Sequence, residues 1–92
     1  MHMLKTYRIS IFGEAYSLVS DESEEHIMQS AQLVDALMRE IAEKAQPMDS
    51  HKVSVLVALK LSSRVLALES EIEKVRQDQC KLVDLLDREL SL

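Results

Sequence analysis

The stretch ISIFGEAYSLV, residues 9–19, contains Gly13, the single glycine of the 92-residue chain. On both sides of Gly13–Glu14, apolar and polar side chains alternate with the period of two that is typical of β-strands. A tight hairpin turn needs a residue that tolerates positive φ, and glycine does so without steric cost. We therefore predict a β-hairpin over residues 5–19 with Gly13 as its structural turn residue. A phosphate-binding role is a weaker explanation, because no helix directly follows this lone glycine.

An amphipathic helix is predicted after the hairpin, over residues 22–45. Ser20 or Asp21 is placed to cap it, with Glu24 three residues after Asp21 as in a capping box. Apolar residues then recur at spacings of three and four, which places them on one helical face: Ile27, Ala31, Val34, Leu37, Met38, Ile41 and Ala45. Pro47 disfavours helix at the residue before it, so residues 46–50 are predicted to form a loop.

A long helix is predicted over residues 51–92, because this part of the chain contains no proline or glycine. Asp49 or Ser50 can cap it, and about 40 residues correspond to roughly 60 Å of helix. One set of positions follows alternating steps of three and four residues: Ala58, Leu61, Val65, Leu68, Ile72, Val75, Gln79, Leu82, Leu86 and Glu89. We call this set the seam. A sustained seven-residue repeat predicts an oligomerising coiled coil, since it needs a partner helix to cover it.

The two halves of the long helix differ in how much apolar surface they carry. Val55, Leu56, Leu59 and Leu66 broaden the apolar face of the first half. We therefore expect the first half to pack with the hairpin and first helix, and the second half to assemble with other copies. Gln79 in the seam has two open interpretations: it fixes register and helix number, or it is a polar side chain tolerated at a loosely packed position.

Together these elements predict an α+β chain, with a small head over residues 1–50 followed by the coiled-coil helix. A two-stranded hairpin is marginal in water on its own, so we expect an obligate homo-oligomer. The pattern is compatible with a dimer and with a tetramer.

The composition excludes several classes of protein. A formal net charge of −5 argues against nucleic-acid binding, which needs a basic surface. A single cysteine, Cys80, cannot form an internal disulfide and favours a reducing compartment. No apolar run approaches the roughly 20 residues of a membrane span. The histidines His2, His26 and His51 lie in different segments and form no metal-binding motif. We expect a cytoplasmic protein that is not an enzyme and binds no cofactor, metal or membrane.

The residues YRISIFGEAYSLVSDESEEHIMQSAQLVDALMREI, followed by MDSHKVSVLVALKLSSRVLALE, resemble the ZapA family of bacterial cell-division proteins. The resemblance covers about residues 7–69, and the rest of the long helix is similar only in its heptads. It implies a cytoplasmic, non-enzymatic partner of FtsZ, the tubulin-like GTPase of the division ring. It also implies dimers through the heads, tetramers through antiparallel long helices, and bundling of FtsZ protofilaments at the division site.

The resemblance implies that basic residues of the head contact FtsZ, including one directly after the I-F-G turn. Glu14 occupies that position here, which reverses the charge. We expect Glu14, Arg39, Lys44 and Lys52 to border the contact, although the helix dipole also explains a cation at Lys44. Two alternatives remain: a coiled-coil adaptor of another cytoplasmic assembly without FtsZ affinity, and a nucleic-acid-binding regulator, which the absence of a basic stripe disfavours.

Overall fold

The computed structural model describes residues 3–44 and 49–91 of the chain. Strands β1 (Lys5–Ile11) and β2 (Glu14–Ser20) are followed by helices α1 (Glu24–Lys44) and α2 (Ser50–Leu90). This order confirms the predicted hairpin, helix and long helix. Ala45 and most of the predicted loop, residues 46–48, lie outside the described residues. Ser50 begins α2 and does not belong to the loop.

The hairpin is an antiparallel pair in continuous register from Lys5 opposite Ser20 to Ile11 opposite Glu14. The two-residue turn is therefore Phe12–Gly13, and both residues have positive φ, 52° and 79° respectively. Two positive φ angles define a type I′ turn, whose twist matches that of the flanking strands. The turn therefore lies one residue earlier than the predicted Gly13–Glu14, and Glu14 belongs to β2. Phe12 takes the other turn position, although its aromatic side chain disfavours positive φ.

Helix α1 begins at a different cap from the predicted one. The Ser23 hydroxyl oxygen accepts a hydrogen bond from the His26 N–H at 3.1 Å, so Ser23 is the N-cap. The prediction of Ser20 or Asp21 as the cap is wrong, and the Ser20 hydroxyl instead accepts from the Glu22 N–H at 3.0 Å. These short side-chain bonds compete for neighbouring backbone groups, and they shift the helix start by two residues.

The chain forms two compact units, Met1–Ala58 and Leu59–Leu92, which we call the N-terminal unit and the C-terminal unit. The buried residues of the N-terminal unit come from β1, α1 and the start of α2: Tyr7, Ile27, Ala31, Leu37, Met38, Val53 and Val57. The Tyr7 hydroxyl donates to the Glu22 carbonyl at 2.8 Å, which ties the segment before α1 to β1. The aliphatic core predicted for α1 therefore forms, with Val34 and Ile41 half-buried at its margin.

Helix α2 begins at an Asp49 cap, because the Asp49 Oδ1 atom accepts from the Lys52 N–H at 2.8 Å. Its buried residues are Val53 and Val57, one helical turn apart. The expectation that Val55, Leu56, Leu59 and Leu66 form the packed face of the first half is wrong, because all four are exposed. Several adjacent faces of this helix are apolar, so the pattern alone does not show which of them is buried.

Within residues 3–44 and 49–91, no helix is both long and apolar enough to cross a membrane. In the same part of the chain, no group of three or more histidine, cysteine, aspartate or glutamate side chains is placed to hold a metal ion. Cys80 is exposed as a free thiol.

Candidate protein-interaction surfaces

Both residues at the tip of the hairpin have positive φ. Gly13 suits its φ of 79°, and a Cβ atom added there would meet no heavy atom within 4 Å. Phe12, at φ 52°, is a bulky residue in the left-handed region. This conformation costs roughly 1–2 kcal/mol for an L-residue, so other contacts must hold the turn.

The Asp35 carboxylate on α1 holds this turn. The Phe12 N–H donates to Asp35 Oδ1 at 2.7 Å. The other carboxylate oxygen, Oδ2, accepts from the Arg39 Nε–H at 3.0 Å. The hydrogen bond from Arg39 and the one from the Phe12 backbone both lower the pKa of Asp35. Both bonds favour the ionised carboxylate, and charge-assisted bonds are stronger than neutral ones. We call Phe12, Asp35 and Arg39 the turn clamp.

Glu14 lies beside the turn clamp and has a partner on its own strand. The Glu14 Oε2 atom accepts from the Tyr16 hydroxyl at 3.0 Å. This hydrogen bond, with the negative charge of Glu14, raises the pKa of Tyr16. Glu14 is exposed, so the border of the hairpin tip is acidic at the position where the family resemblance implies a basic residue.

The four expected contact residues are distributed unevenly. Glu14 is next to the turn, and Arg39 reaches it through Asp35. Lys44 lies in the last turn of α1, where its Nζ pairs with Glu40 at 3.2 Å. Lys52 lies in the first turn of α2 with an exposed side chain. The structure therefore links Arg39 to the hairpin tip and gives Lys44 a separate local ion pair.

An open groove of about 450 Å³ runs beside the hairpin tip in the N-terminal unit. Its lining is Ile11, Phe12, Glu14 and Tyr16 from the hairpin, Val34 and Met38 from α1, and Ser50, His51 and Ser54 from α2. Phe12 is half-buried and forms part of the wall of this groove.

Phe12 and Asp35 are not among the contact residues predicted from the sequence. The spacing of four between Asp35 and Arg39 was a visible signal for an ion pair on one helix. The bond from Asp35 to Phe12 joins residues 23 positions apart in the chain, and no local pattern indicates such a pair.

The second candidate surface is the seam in the C-terminal unit. Six apolar seam residues are between 50% and 58% exposed: Val65, Leu68, Ile72, Val75, Leu82 and Leu86. Ala58 and Gln79 are exposed as well, and Leu61 is half-buried. A row of exposed apolar side chains at heptad spacing is a protein-interaction surface by its chemistry.

Comparisons with known proteins match one family over most of the chain. The family model described as Cell division protein ZapA matches residues 7–90. The chain is 37% identical to Cell division protein ZapA from Bacillus licheniformis over 68 residues, which is 74% of this chain and 80% of that protein. It is 36% identical to the protein of the same name from Bacillus anthracis over 73 residues, covering 79% and 82%. Among solved structures, the ZapA mutant dimer from Geobacillus stearothermophilus matches with a TM-score of 0.70 and 32% identity, covering 85% of this chain and 91% of that chain.

Proposed function

Because the chain belongs to the ZapA family of cell division proteins, we propose that it binds FtsZ filaments and bundles them as a homo-oligomer, in the cytoplasm at the division site. The family consists of cell-division structural proteins and not of enzymes. The role that we propose is accordingly that of a crosslinker, which acts through binding alone.

The observation that carries the crosslinking role is the exposed seam of α2. Its six apolar residues are each about half exposed. Fully burying a Val, Leu or Ile side chain contributes about 1.5–3 kcal/mol, so covering the remaining half contributes roughly 1 kcal/mol per residue. Six such residues on each helix supply several kcal/mol toward association. A second α2 helix has the matching heptad pattern and is the simplest cover.

We propose a homodimer through the N-terminal units and a homotetramer through the long helices. Support for self-association comes from the Geobacillus relative, whose structure is described as a dimer. The N-terminal unit also leaves large apolar side chains exposed, among them Tyr16, Val19 and Leu33. A second copy that covers such residues would stabilise a hairpin that is marginal alone.

Bundling follows from the number of copies in the oligomer. Each copy contributes one N-terminal unit, and one contact between such a unit and a filament can be weak. Once one unit is bound, binding of the next becomes intramolecular, and avidity can exceed the single affinity by roughly 10²–10⁴-fold. An oligomer whose units engage two filaments holds them side by side.

The filament contact is proposed for the N-terminal unit, with Glu14, Arg39, Lys44 and Lys52 at its border. Glu14→Arg and Lys44→Glu exchange the charge at two exposed positions of this border. Co-sedimentation with FtsZ assembled with GTP measures their effect. Bundling by both variants at the wild-type level would show that Glu14 and Lys44 do not contribute to the contact.

A matched pair of variants tests the role of the seam. Ile72→Asp places a charge in the seam, and Ser70→Asp places the same charge two residues away, outside the seam and exposed. Light scattering should give a smaller oligomer for Ile72→Asp and the wild-type mass for Ser70→Asp. A chain cut after Glu69 should also form a smaller oligomer than the full chain.

The same variants connect assembly to function. Ile72→Asp should bind filaments more weakly and bundle them less than wild type, as measured by co-sedimentation and electron microscopy, whereas Ser70→Asp should bundle normally. A wild-type chain that does not sediment with FtsZ filaments would contradict the proposed partner. Equal bundling by the two variants would contradict the crosslinking mechanism and leave the partner intact.

A further inference from the structure

The seam of α2 contains two kinds of heptad position, and the spacing between its residues identifies each one. In a heptad written a to g, the step from a to d is three residues and the step from d to the next a is four. In the C-terminal unit the a positions are therefore Val65, Ile72, Gln79 and Leu86, and the d positions are Leu61, Leu68, Val75 and Leu82.

The positions that flank the seam, e and g, carry charges through the middle of the helix. Arg64, Glu71 and Asp78 are at g, and Glu69 and Arg76 are at e. All five side chains are exposed. Within the described part of the chain, none of them forms an ion pair with another side chain. Their charges are therefore available to a second helix that lies along the seam.

These charges are complementary when a second copy runs in the same direction. In a parallel pair in register, each g side chain lies beside the following e side chain of the other helix. Arg64 then lies beside Glu69 of the second copy, and Glu71 lies beside Arg76 of the second copy. Both pairs are attractive, and the symmetry of the pair produces each of them twice. Asp78 lies beside an uncharged e position, so no like charges meet.

An antiparallel pair brings like charges together. In that orientation g positions lie beside g positions and e positions beside e positions. When two antiparallel seams overlap over residues 61–86, Glu71 lies beside Asp78 of the second copy, and this repulsion occurs twice. The attraction between Glu69 and Arg76 in the same alignment offsets the repulsion without exceeding it. The flanking charges therefore favour the parallel orientation.

Gln79 favours the same orientation for an independent reason. In a parallel pair an a position faces the same a position, so the two Gln79 amides share one layer and can donate to and accept from each other. In an antiparallel pair an a position faces a d position, which is Leu68 when residues 61–86 overlap. The Gln79 amide would then be covered by an apolar side chain without a hydrogen-bond partner, which is costly.

The apolar residues of the seam are also those of a two-stranded parallel coiled coil. Such dimers favour β-branched residues at a and leucine at d. Val65 and Ile72 supply the β-branched residues. The d positions are leucine at residues 61, 68 and 82, with Val75 as the exception.

We propose that the seam is covered by a second α2 helix that runs parallel to the first and in register, with Gln79 facing Gln79. This inference rests on the proposed self-association through the seam, and it does not depend on FtsZ binding. The charges that specify it extend from Arg64 to Asp78, because the flanks beyond Asp78 are apolar, with Val83 and Leu85 exposed. A parallel pair places both N-terminal units at the same end, since each precedes the seam in its chain. The antiparallel contact that the family resemblance implies is then a contact between two parallel pairs.

Disulfide trapping tests the orientation. Cys80→Ser removes the native thiol, and Leu68→Cys in that background places one thiol in the seam. In a parallel pair in register the two introduced thiols share one layer, so a glutathione redox buffer should yield covalent dimers as the main product on a non-reducing gel. In any antiparallel pair this position faces an a position, so the crosslink would form with Gln79→Cys in a mixture of the two variants. Ser70→Cys, exposed and outside the seam, is the matched control and should stay uncrosslinked.

Exchange of one flanking charge gives opposite results for the two orientations. Glu71→Arg faces Arg76 of the second copy in a parallel pair and Asp78 in an antiparallel one. We expect the apparent dissociation constant of the oligomer, measured by light scattering on a dilution series, to rise about threefold or more. The double variant Glu71→Arg/Arg76→Glu should return to within about twofold of wild type.

Two controls show whether the effect is electrostatic and specific to the flank. The difference between Glu71→Arg and wild type should shrink at about 1 M salt, because exposed charges are screened there. Glu73→Arg makes the same change of charge at an exposed position outside the seam and its flanks, and it should associate like wild type.

The outcomes separate this inference from the proposed function. Equal masses of wild type and Ile72→Asp in light scattering would overturn both the proposed association through the seam and the parallel pair. If the seam does associate, the absence of a self-crosslink in Leu68→Cys, with or without a mixed disulfide to Gln79→Cys, would overturn only the parallel pair. Tighter association of Glu71→Arg than of wild type would do the same. Should Leu68→Cys weaken association by itself, Val65→Cys replaces it, since position 65 also faces itself only in a parallel pair.

Discussion

Replacing Gly13 with alanine measures the conformational demand of the hairpin turn alone. An alanine Cβ at this position would meet no heavy atom within 4 Å, so steric contact adds nothing to the cost. The cost comes from holding an L-residue at a φ of 79°, which is roughly 1–2 kcal/mol. Alanine also reduces the entropy of the unfolded chain, which returns about 0.4–1 kcal/mol. The expected net loss is about 1 kcal/mol.

A loss of 1 kcal/mol lowers the Tm of a domain of this size by about 4–8 °C. Thermal unfolding followed by circular dichroism measures this shift, at one fixed protomer concentration because oligomerisation makes the Tm depend on concentration. Gly13→Asn is the comparison variant, since asparagine tolerates positive φ better than alanine does. We expect the Tm order wild type, Asn, Ala. An unchanged Tm for Gly13→Ala, or equal losses for the two variants, would refute the type I′ turn as the source of the glycine requirement.

Three further predictions concern the N-terminal unit. Val53→Ala should lower the free energy of unfolding, measured by urea titration, by about 2 kcal/mol, since Val53 is 0% exposed. Val55→Ala changes a position that is 45% exposed and should lower it by under about 1 kcal/mol. The pKa of Asp35 is lowered from its usual 3.8, so the ionised carboxylate stabilises the fold fully above pH 3.8, and this stabilisation is lost as the pH falls through the folded pKa. Asp35→Asn should therefore have a lower Tm than wild type at neutral pH, and the difference in Tm should narrow below pH 3.8. A difference in Tm that stays constant with pH would contradict the turn clamp. Because Glu14 raises the pKa of Tyr16, Glu14→Gln should bring that pKa back toward 10.0 in a near-ultraviolet absorbance titration, with Tyr16→Phe identifying the signal.

The secondary structure could be predicted because it follows from local periodicity. Alternation around Gly13 indicated the hairpin, and spacings of three and four indicated both helices. The helix starts were less predictable, because Ser20, Asp21 and Ser23 are all competent caps within four residues. In the structure Ser23 is the cap, and it directly follows Glu22, whose carbonyl accepts from the Tyr7 hydroxyl.

The buried face of α2 was not predictable for a related reason. Val53 and Val57 are buried, while Val55 and Leu56, which are equally apolar, are exposed. A helix with apolar residues on adjacent faces is compatible with several packing arrangements, and hydrophobicity alone does not select one of them. The choice is set by tertiary contacts, which the spacing of apolar residues along the helix does not encode.

The filament contact proposed for the N-terminal unit depends on the seam of α2, because the seam sets how many such contacts one oligomer can make. In the N-terminal unit, Arg39 is paired with Asp35 and Lys44 is paired with Glu40. Each cation therefore has an acid one helical turn away, in an exposed pair of the kind that contributes at most about 1 kcal/mol. In the proposed function, the contact between one N-terminal unit and a filament is weak by itself. Several N-terminal units on one oligomer remove this limit, since each additional engagement is intramolecular. On this reasoning the seam of α2 is what makes a weak contact of the N-terminal unit sufficient, and a seam variant should bind filaments more weakly even though every residue of the N-terminal unit is intact.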